Sequence, residues 1–421
     1  MLHAAHLLRR RLRISSLPVL LCPSSPLAAA GCPTRIRVSA CRPSFSISNS
    51  AMEVSGRNSD GPQVAVIGAG VAGSVCASLL AAKGLAVKVF DSGRGPGGRM
   101  SQRREKVEDG SELMFDHGAQ YFTVKSAEVQ HLVDKWQALG LVADWEGRFG
   151  SLNVATGEFV HETAVKKRYV GVPGMNSICK ALMTTPGLQA KYGVQVAGLE
   201  WADEGLGSWC LKSKDGENLG RFNAVVVADK GAAKLLFGQT ASSPLLEGSE
   251  LSEMHKKVAA VTAAPCFAVM MAFPSPLDLI PLDGFLVEGS KIVSWAARDS
   301  SKPGRVTTSS DCWVVHSTEA YATGIIAQAG MAKPSNELLA AVANDLLTGF
   351  QSLLPNMPTP TYMKAHRWGG AFPTTSIAPE EKCIVIEDRR VAVCGDFCVS
   401  PKVEGAILSG MYASERLGSI L

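Results

Sequence analysis

The stretch VAVIGAGVAGSVCASLLAAKGLAVKVFDSGRGPGGRM, residues 64–100, decides the fold of this chain. Residues 63–67, which begin one position before this stretch, form a short apolar run rich in β-branched residues. That composition predicts a strand buried on both faces. The run stops at a glycine-rich turn, and residues 74–83 then predict a helix. A second apolar run at residues 86–90 predicts the next strand, so the segment indicates a βαβ unit.

Gly68, Gly70 and Gly73 form the pattern GxGxxG between the predicted strand and helix. In this pattern the first glycine makes a tight turn, the second lets the backbone approach a phosphate, and the third lets the helix pack closely on the strand. The start of the helix presents unpaired N–H groups and about half a positive charge to a bound anion. The turn therefore predicts a site for a nucleotide pyrophosphate.

Two further features refine the nucleotide prediction. Asp91 ends the second predicted strand about 20 residues after the glycines, where its carboxylate can accept from ribose hydroxyls and would repel a 2′-phosphate. RGPGGRM at residues 94–100 adds the glycine pair Gly97-Gly98 and then Arg99, whose guanidinium would balance pyrophosphate charge that a helix end does not. Pure NAD domains usually lack this second element.

With these motifs the chain resembles the FAD-binding fold of the amine-oxidase superfamily, and more closely the renalase-like flavoproteins. Residues 116–122, DHGAQYF, look like the DxGAxYF segment that lies along the isoalloxazine, and residues 168–175 are similar to the segment that returns to the flavin domain. Residues 295–305, residues 313–322 and HRW at 366–368 resemble substrate-domain landmarks of renalase-type proteins, whereas Gly395-Asp396 and residues 403–410, VEGAILSG, match the closing flavin motif. The resemblance covers residues 63–421.

The resemblance implies an α/β fold class: a Rossmann-like FAD-binding domain with a parallel sheet, plus a second α+β substrate domain with an antiparallel sheet. We expect residues 61–125, 168–238 and 380–421 to form the first domain, and residues 126–167 and 239–379 the second. Residues 127–139, 176–182 and 337–354 predict helices, and residues 151–160 a hairpin. Residues 194–201, 209–214, 223–228 and 258–273 predict strands, of which 223–228 is typical of a buried parallel strand.

The motifs and the resemblance together predict a set of cofactor-binding residues. They are Gly68, Ala69, Gly70, Val71, Ala72, Gly73, Asp91, Ser92, Arg94, Gly98, Arg99, Met100, His117, Gly118, Ala119, Gln120, Val196, Gly395, Asp396, Glu404, Gly405 and Ala406. The resemblance gives Val196 a backbone contact to adenine. Asp396 would accept from a ribityl or ribose hydroxyl, and the alternative is a solvated loop acid. The helix from about residue 404 would stabilise reduced flavin through its N-terminus, or would only pack tightly on the sheet.

The catalytic candidates are Tyr121, His366 and Arg367. Tyr121 could contact substrate or belong to the core, a lone histidine such as His366 is more often structural, and Arg367 could hold a substrate phosphate bidentately. Cys394 and Cys398 form an isolated CxxxC without further ligands, so we expect no metal. The sequence pattern for covalent flavin attachment to cysteine is absent, which predicts non-covalent FAD.

Composition limits the remaining function classes. The formal charge of the chain is +4, but residues 1–60 contain eight arginines and only two acidic residues, Glu53 and Asp60. The remaining residues therefore carry a net charge of −2, so we expect no nucleic-acid partner. Residues 1–60 have the composition of an organellar transit peptide, with a chloroplast favoured and a mitochondrion as the alternative. Outside this leader the eight cysteines suit free thiols in a reducing compartment, and the apolar run 258–273 is too short to span a membrane. The oligomeric state stays open.

The sequence therefore predicts an FAD-dependent oxidoreductase that accepts a hydride from a small reduced substrate, such as a dihydronicotinamide or an amine, onto flavin N5. O2 or another acceptor would reoxidise the flavin. The absence of an obvious catalytic base favours a dihydronicotinamide, because this donor carries its hydride on carbon and becomes aromatic when the hydride leaves. Two alternatives remain, a desaturase or protoporphyrinogen-oxidase type of plastid enzyme and a non-catalytic FAD-binding protein.

Overall fold

The structure is a computed structural model that describes residues 62–421, with gaps at 108–109, 111, 165, 204, 206, 242–248, 306–309 and 354–355. The predicted leader, with Cys22, Cys32 and Cys41, lies outside the described residues. The described helices include none that is long and apolar enough to cross a membrane.

The elements are numbered in chain order. The strands are β1 (Gln63–Ile67), β2 (Ala86–Asp91), β3 (Gln102–Lys106), β4 (Glu112–Asp116), β5 (Val142–Asp144), β6 (Phe149–Asn153), β7 (Glu158–His161), β8 (Tyr169–Gly171), β9 (Leu188–Tyr192), β10 (Val196–Ala202), β11 (Ser208–Ser213), β12 (Asn218–Phe222), β13 (Ala224–Val227), β14 (Ala263–Phe273), β15 (Gly284–Glu288), β16 (Val293–Arg298), β17 (Asp311–Ser317), β18 (Tyr362–Pro373), β19 (Ile384–Ile386) and β20 (Val391–Val393). The helices are α1 (Val71–Ala82), α2 (Ala127–Ala138), α3 (Ser177–Leu182), α4 (Lys230–Ala241), α5 (Glu250–Ala260), α6 (Glu319–Ala329), α7 (Asn336–Gln351), α8 (Asp396–Val399) and α9 (Val403–Gly418).

A six-stranded sheet carries the nucleotide motif. Its spatial order is β19-β20-β13-β1-β2-β9, and every neighbouring pair is parallel except β19 with β20. All four residues of β13 are buried, as an apolar run between two neighbours requires. The predicted Rossmann-like parallel sheet is therefore confirmed. Sequence reasoning did not predict β9, because an edge strand with alternating exposure lacks the apolar run of a central one.

Two helices start at the same edge of this sheet and pack on each other. α1 begins at Val71, three residues before the predicted start, because its first turn is built from the glycine motif itself. α9 crosses α1 so closely that a Cβ on Gly410 would lie 2.3 Å from the carbonyl oxygen of Ala72. The small residues of α9 thus bring the last helix of the chain against the first.

A seven-stranded sheet forms the second large layer, in the order β18-β14-β17-β16-β15-β6-β7. Its neighbours are antiparallel except β15 with β6, so the predicted antiparallel sheet is confirmed with one parallel pair. The predicted hairpin at residues 151–160 supplies β6 and β7 at one edge. At the other edge, β14 pairs with β18 in a register that places Ala268 opposite His366.

One predicted strand is partly wrong. Residues 258–260 end helix α5, and strand β14 begins only at Ala263. The buried residues of α5, Leu251, Met254 and Val258, are spaced three and four apart, a helical pattern that starts before the apolar run and extends into it. The predicted helix at residues 337–354 is confirmed as α7, which Ser335 caps by accepting from the Leu338 N–H.

Candidate active site

A cavity of about 1190 Å³ lies where the carboxyl ends of the parallel strands meet the seven-stranded sheet. This volume exceeds that of a usual pocket for one small ligand, about 300–1,000 Å³. Among the predicted residues it is lined by Gly68, Gly70, Val71, Ala72, Asp91, Ser92, Arg94, Gly98, Arg99, Met100, His117, Gly118, Ala119, Val196, Gly395, Asp396, Ala406 and His366. Residues from the beginning, middle and end of the described chain thus share one cavity.

The three motif glycines are each required for a different reason. Gly68 has a φ of +104°, a left-handed conformation that favours glycine. A Cβ on Gly73 would lie 2.0 Å from the Gly68 carbonyl oxygen, so the helix can pack against the turn only without a side chain. At Gly70 a Cβ would meet nothing within 4 Å, because it would project into open space where a ligand phosphate can approach.

The second glycine pair lies directly against the first turn. Gly97 donates its N–H to the Ala69 carbonyl oxygen at 2.8 Å, and a bridge pairs Gly97 with Gly70. Gly98 faces Gly70, because its Cβ would come within 3.4 Å of the Gly70 Cα. The two glycine motifs therefore form a single backbone surface on the cavity.

Asp91 is held at the end of β2 by two backbone donors. Its Oδ2 accepts from the Ala69 N–H and its Oδ1 from the Gly93 N–H, both at 2.6 Å. A carboxylate offers about four acceptor positions, so two remain for ribose hydroxyls. Ala69 itself does not line the cavity, and its contribution is to hold this carboxylate.

Arg99 and Asp396 join the first and last motifs of the chain. The guanidinium donates to both carboxylate oxygens at 2.6 Å, and it also donates to the Ala371 carbonyl oxygen at 2.8 Å. Burial lowers the pKa of Arg99, but Asp396 and then Asp229 outweigh that effect and keep the pKa above its ordinary value. From sequence we expected these two residues to contact the cofactor separately, whereas in the structure they form a bidentate ion pair with each other.

Two predicted residues of α9 face away from the cavity. Glu404 Oε1 accepts from the N–H groups of Lys125 and Ser126 at 2.6 and 2.7 Å, just before α2 begins. Gly405 fits against residue 400, because its Cβ would lie 2.5 Å from the Ser400 carbonyl oxygen. The cavity meets α9 instead at Lys402, Val403 and Ala406.

The segment after β4 is clamped from several sides. A Cβ on Gly118 would lie 2.0 Å from the Arg99 carbonyl oxygen, which in turn accepts the Ala119 N–H at 2.8 Å. The His117 carbonyl oxygen accepts from Trp368 Nε1 at 3.0 Å and contacts His316 Nε2 at 3.2 Å. The backbone at 117–119 is therefore fixed along the cavity.

A fully buried ion cluster holds Asp116, the residue before this segment. Asp116 Oδ2 contacts Lys302 Nζ at 3.2 Å and accepts from Arg305, while Asp299 contacts Lys302 at 2.6 Å and Arg305 at 2.9 Å. Asp116 Oδ1 accepts the Met175 N–H at 3.0 Å. Burial would raise the pKa of Asp299, but Arg305 and Lys302 hold it below its ordinary value. Two carboxylates and two cations thus balance each other without solvent.

Three histidines meet beside the clamped segment. The rings of His117 and His366 lie 4.8 Å apart at a steep angle, and Trp368 lies 5.1 Å from the first ring and 4.4 Å from the second. Burial lowers the pKa of His117 to about 3, helped by His366, Arg103 and His316 and opposed by the Phe115 carbonyl. Burial also lowers the pKa values of His316 and His366 to about 4. All three rings are therefore neutral at pH 7.

His117 Nδ1 is buried and has no hydrogen-bond partner among the described residues. A buried polar atom without a partner is costly unless a ligand or water completes it. Because His117 also lines the cavity, this nitrogen marks a position where a bound molecule can hydrogen-bond.

Besides Ala69, Gly73, Glu404 and Gly405, three predicted residues lie outside the cavity lining. Gln120 accepts from Trp295 Nε1 at 3.2 Å and contacts His316 Nε2 at 3.4 Å, so it supports a histidine that does line the cavity. Tyr121 packs among Trp145, Phe149 and Trp295. Arg367 donates to the carbonyl oxygens of residues 330, 331 and 332.

Sequence reasoning missed several lining residues. They are, among others, Arg103, Asn176, Lys180, Lys230 and His316, whereas Trp368 was expected beside His366 and does line the cavity. His316 lies inside a segment that the resemblance singled out as a whole, but only the pairing of β14 with β17 shows that its side chain reaches the cavity.

The residues fit a flavin dinucleotide. An uncapped helix N-terminus with open space at Gly70 suits a pyrophosphate, and Asp91 keeps free acceptor positions for ribose. Near the clamped segment, an unpartnered His117 nitrogen and the first turn of α9 suit a polar planar ring. No group of three or more metal-ligating side chains occurs within the described parts of the chain, and the eight cysteines found there are free thiols.

Comparisons with known proteins agree with this geometry. A model of the NAD(P)-binding Rossmann-like domain matches residues 66–136, and a model of the flavin containing amine oxidoreductase family matches residues 143–418. An oxidoreductase from Methanosarcina mazei has a TM-score of 0.59 at 13% identity and covers 84% of this chain and 100% of its own. A redesigned putrescine oxidase gives 0.56 at 12% identity, over 85% of this chain and 99% of its own.

Wild-type putrescine oxidase, solved with putrescine bound, has a TM-score of 0.52 at 12% identity and covers 85% of this chain and 98% of its own. At such identities these structures show a shared fold. The family match, by contrast, extends over more than half of the chain and includes the α9 end of the cavity. The chain belongs to the flavin-containing amine oxidoreductase family and is a flavin-dependent oxidoreductase.

Proposed function

We propose that this protein is a renalase-like enzyme that binds FAD without a covalent bond and oxidises a small reduced substrate, such as a dihydronicotinamide or an amine. The observation that carries the proposal is the convergence of the glycine turns, Asp91, the clamped segment at 117–119 and the start of α9 on one cavity. Two phosphates, a ribose and a planar ring each have matching protein groups there. A mononucleotide would leave one half of these groups without a function.

Bound flavin would supply a two-electron acceptor at N5, and O2 or another acceptor would restore it. The chain's own part is to bind and orient. Neutral His117, His316 and His366 can donate or accept hydrogen bonds without adding charge beside the reacting atoms. The N-terminus of α9 places positive potential at the cavity, where negative charge on a reduced ring would be stabilised.

The carboxylates that line the cavity include Asp91, which backbone N–H groups hold, and Asp396, which Arg99 holds, so neither is free to act as a general base. A donor whose hydride leaves carbon and yields an aromatic product requires little proton transfer, which supports a dihydronicotinamide over an amine as substrate. The substrate proposal rests on this chemistry and on the resemblance.

The test is to purify the protein without its first 60 residues and record its visible spectrum. Heat or acid should release FAD, identified by mass, and leave a colourless polypeptide. Isomeric dihydronicotinamides, added without oxygen, should bleach the bound flavin faster than putrescine does. A colourless protein that does not bind added FAD would overturn the proposal. Bleaching by amines but not by dihydronicotinamides would make amines the substrate class.

We also propose that residues 1–60 direct the protein to chloroplasts. The support is compositional, with eight arginines and two acidic residues in this segment. A fusion of residues 1–60 to a fluorescent protein should accumulate in chloroplasts. Accumulation in mitochondria would support the alternative instead.

A further inference from the structure

A row of side chains crosses the seven-stranded sheet beside the clamped segment. The register of the sheet places Ala268 of β14 opposite both His366 of β18 and His316 of β17. It also places His316 opposite Trp295 of β16. Residues directly opposite each other on antiparallel strands share one face of the sheet, so all four side chains lie on the same face. The two histidines of this row line the cavity.

The Nε2 atom of His316 has two polar neighbours of opposite kinds. It lies 3.2 Å from the His117 carbonyl oxygen, which can only accept, and 3.4 Å from Nε2 of Gln120. Trp295 Nε1 can only donate, and it donates to Gln120 Oε1 at 3.2 Å. The amide of Gln120 therefore turns its N–H₂ group toward His316. One neighbour of His316 Nε2 is thus a fixed acceptor, and the other is a fixed donor.

Both neutral forms of the His316 ring have a partner in this arrangement. With its hydrogen on Nε2, the ring donates to the His117 carbonyl oxygen. With its hydrogen on Nδ1, Nε2 accepts from Gln120, while the carbonyl oxygen still accepts from Trp368 Nε1 at 3.0 Å. Burial lowers the pKa of His316 to about 4, opposed by the His117 carbonyl and helped by Lys302. The ring therefore exchanges one tautomer for the other without taking up charge at pH 7.

The second ring nitrogen of His316 is left for a ligand. Within the described residues, every hydrogen-bond contact of this ring is made by Nε2. Nδ1 has no partner there, and unlike the unpartnered Nδ1 of His117 it is not a buried atom. Because His316 lines the cavity, its Nδ1 is available to a bound molecule. That molecule meets a donor in one tautomer and an acceptor in the other.

We propose that His316 hydrogen-bonds the edge of the bound flavin ring and follows its redox state by changing tautomer, with Nδ1 donating to the oxidised ring and accepting from the reduced one. A hydride adds one hydrogen to a ring nitrogen, which changes from an acceptor into a donor. Through exchange with water, one proton leaves Nδ1 of His316 and one reaches Nε2, so the side chain stays neutral and no further reactant is consumed. This inference deepens the proposed function and rests on its flavin, whichever donor reduces it.

The Gln120 amide allows one tautomer to be fixed. Gln120→Met keeps the length of the side chain but removes the donor to His316 Nε2. His316 then keeps its hydrogen on Nε2, donates to the His117 carbonyl oxygen and can only accept at Nδ1. Such a ring suits the reduced flavin and leaves the oxidised one without a hydrogen bond. Gln137→Met is the matched control, because Gln137 lies in α2 outside the cavity lining and donates to Asp144.

The experiment records NMR spectra of the histidine ring nitrogens in flavin-loaded protein, before and after photoreduction without oxygen. The chemical shifts of the two nitrogens show which of them carries hydrogen, and the spectrum of His316→Phe identifies the His316 signals. We expect hydrogen on Nδ1 in the oxidised protein and on Nε2 in the reduced protein. Gln120→Met should keep it on Nε2 in both states. Gln137→Met should behave as the unaltered protein does.

The reduction potential of the bound flavin gives an independent measure. At a fixed potential, Gln120→Met should raise the ratio of reduced to oxidised flavin about tenfold, a shift of about 30 mV for a two-electron couple, because only the oxidised ring loses its hydrogen bond. His316→Phe removes the bond from both states and should shift the potential less than Gln120→Met does. Gln137→Met should leave the potential unchanged.

The same His316 tautomer in the oxidised and the reduced unaltered protein would overturn the proposal. Equal flavin potentials in Gln120→Met and Gln137→Met would also overturn it. A tautomer change on addition of substrate but not on photoreduction would assign Nδ1 to the substrate instead. Because light reduces the flavin in this experiment, bleaching by amines alone would refute the proposed dihydronicotinamide donor and leave the role of His316 intact. A protein that binds no flavin would refute both.

Discussion

The cavity has two walls built on opposite principles. One, the glycine wall, comprises the turn at residues 68–73, Asp91 and the loop at 94–100, and it offers backbone N–H groups and charge. The other, the histidine wall, comprises His117, His316, His366 and Trp368, and it offers neutral rings held by contacts between distant segments. The glycine wall depends on the absence of side chains. The histidine wall depends on side chains whose positions are fixed by buried charges elsewhere.

The largest effect should come from the ion cluster behind the histidine wall. Lys302→Met leaves two buried carboxylates facing one arginine, and we expect a loss of about 3–5 kcal/mol in the free energy of unfolding. Urea unfolding at pH 7.5 measures it. Asp299→Asn combined with Lys302→Met restores charge balance and should lose less than Lys302→Met alone. As a control, Lys364→Met removes the cation of a more exposed ion pair with Glu105. This variant should change the free energy of unfolding by less than about 1 kcal/mol.

The glycine wall can be tested with two glycines that differ in what surrounds them. Gly73→Ala forces a Cβ to 2.0 Å from a carbonyl oxygen, so unfolding free energy should fall by about 1–3 kcal/mol or more. Gly70→Ala meets no protein atom and should cost less than about 1 kcal/mol, yet it should reduce flavin retention. Thermal unfolding and flavin absorbance separate the two. If Gly70→Ala retained flavin fully, the phosphate position assigned to this wall would be wrong.

The link between the first and last motifs should have a smaller effect on stability. Asp396→Asn keeps the size of the side chain but removes the charge from a bidentate pair, so we expect a loss of about 1.5–3 kcal/mol together with weaker flavin retention. Glu404→Gln is the matched control, because Glu404 lies outside the cavity lining and accepts from the backbone N–H groups of Lys125 and Ser126, just before α2. That control should lose stability without losing flavin. The reverse pattern would contradict the placement of α9.

The last effect is absent at neutral pH and develops only as the solution is acidified. His366 has a folded pKa of about 4, below the ordinary value of 6.5, so the unfolded chain binds its proton first as pH falls. Stability from the neutral ring is complete above about pH 6.5 and is lost between pH 6.5 and 4, at up to about 1.4 kcal/mol per pH unit. His366→Phe keeps the ring packing but cannot titrate. Urea unfolding at pH 4.5, 5.5, 6.5 and 7.5 should show a shallower pH dependence in the variant than in the unaltered protein, and an unchanged slope would contradict a neutral, partly buried His366.

The difference between the walls also explains how well each could be predicted. Gly68, Gly70, Gly73 and Asp91 lie in one continuous segment, and their spacing carries the geometry of turn, helix and strand. His316 reaches the cavity because β17 pairs with β14, a register set by long-range packing. Asn176, Lys180 and the partners of Arg99 likewise became visible only in three dimensions.

Sequence by itself determined the parallel sheet, the nucleotide turn and the family, because local spacing of glycine, apolar and acidic residues fixes backbone conformation within about 30 residues. Tertiary structure alone decided that Arg99 binds Asp396, that Glu404 binds the backbone just before α2 and that Asp116 is held by Lys302 and Arg305. Those contacts join residues up to 297 positions apart. A charged side chain chooses among many distant partners by burial and packing, which no local pattern encodes.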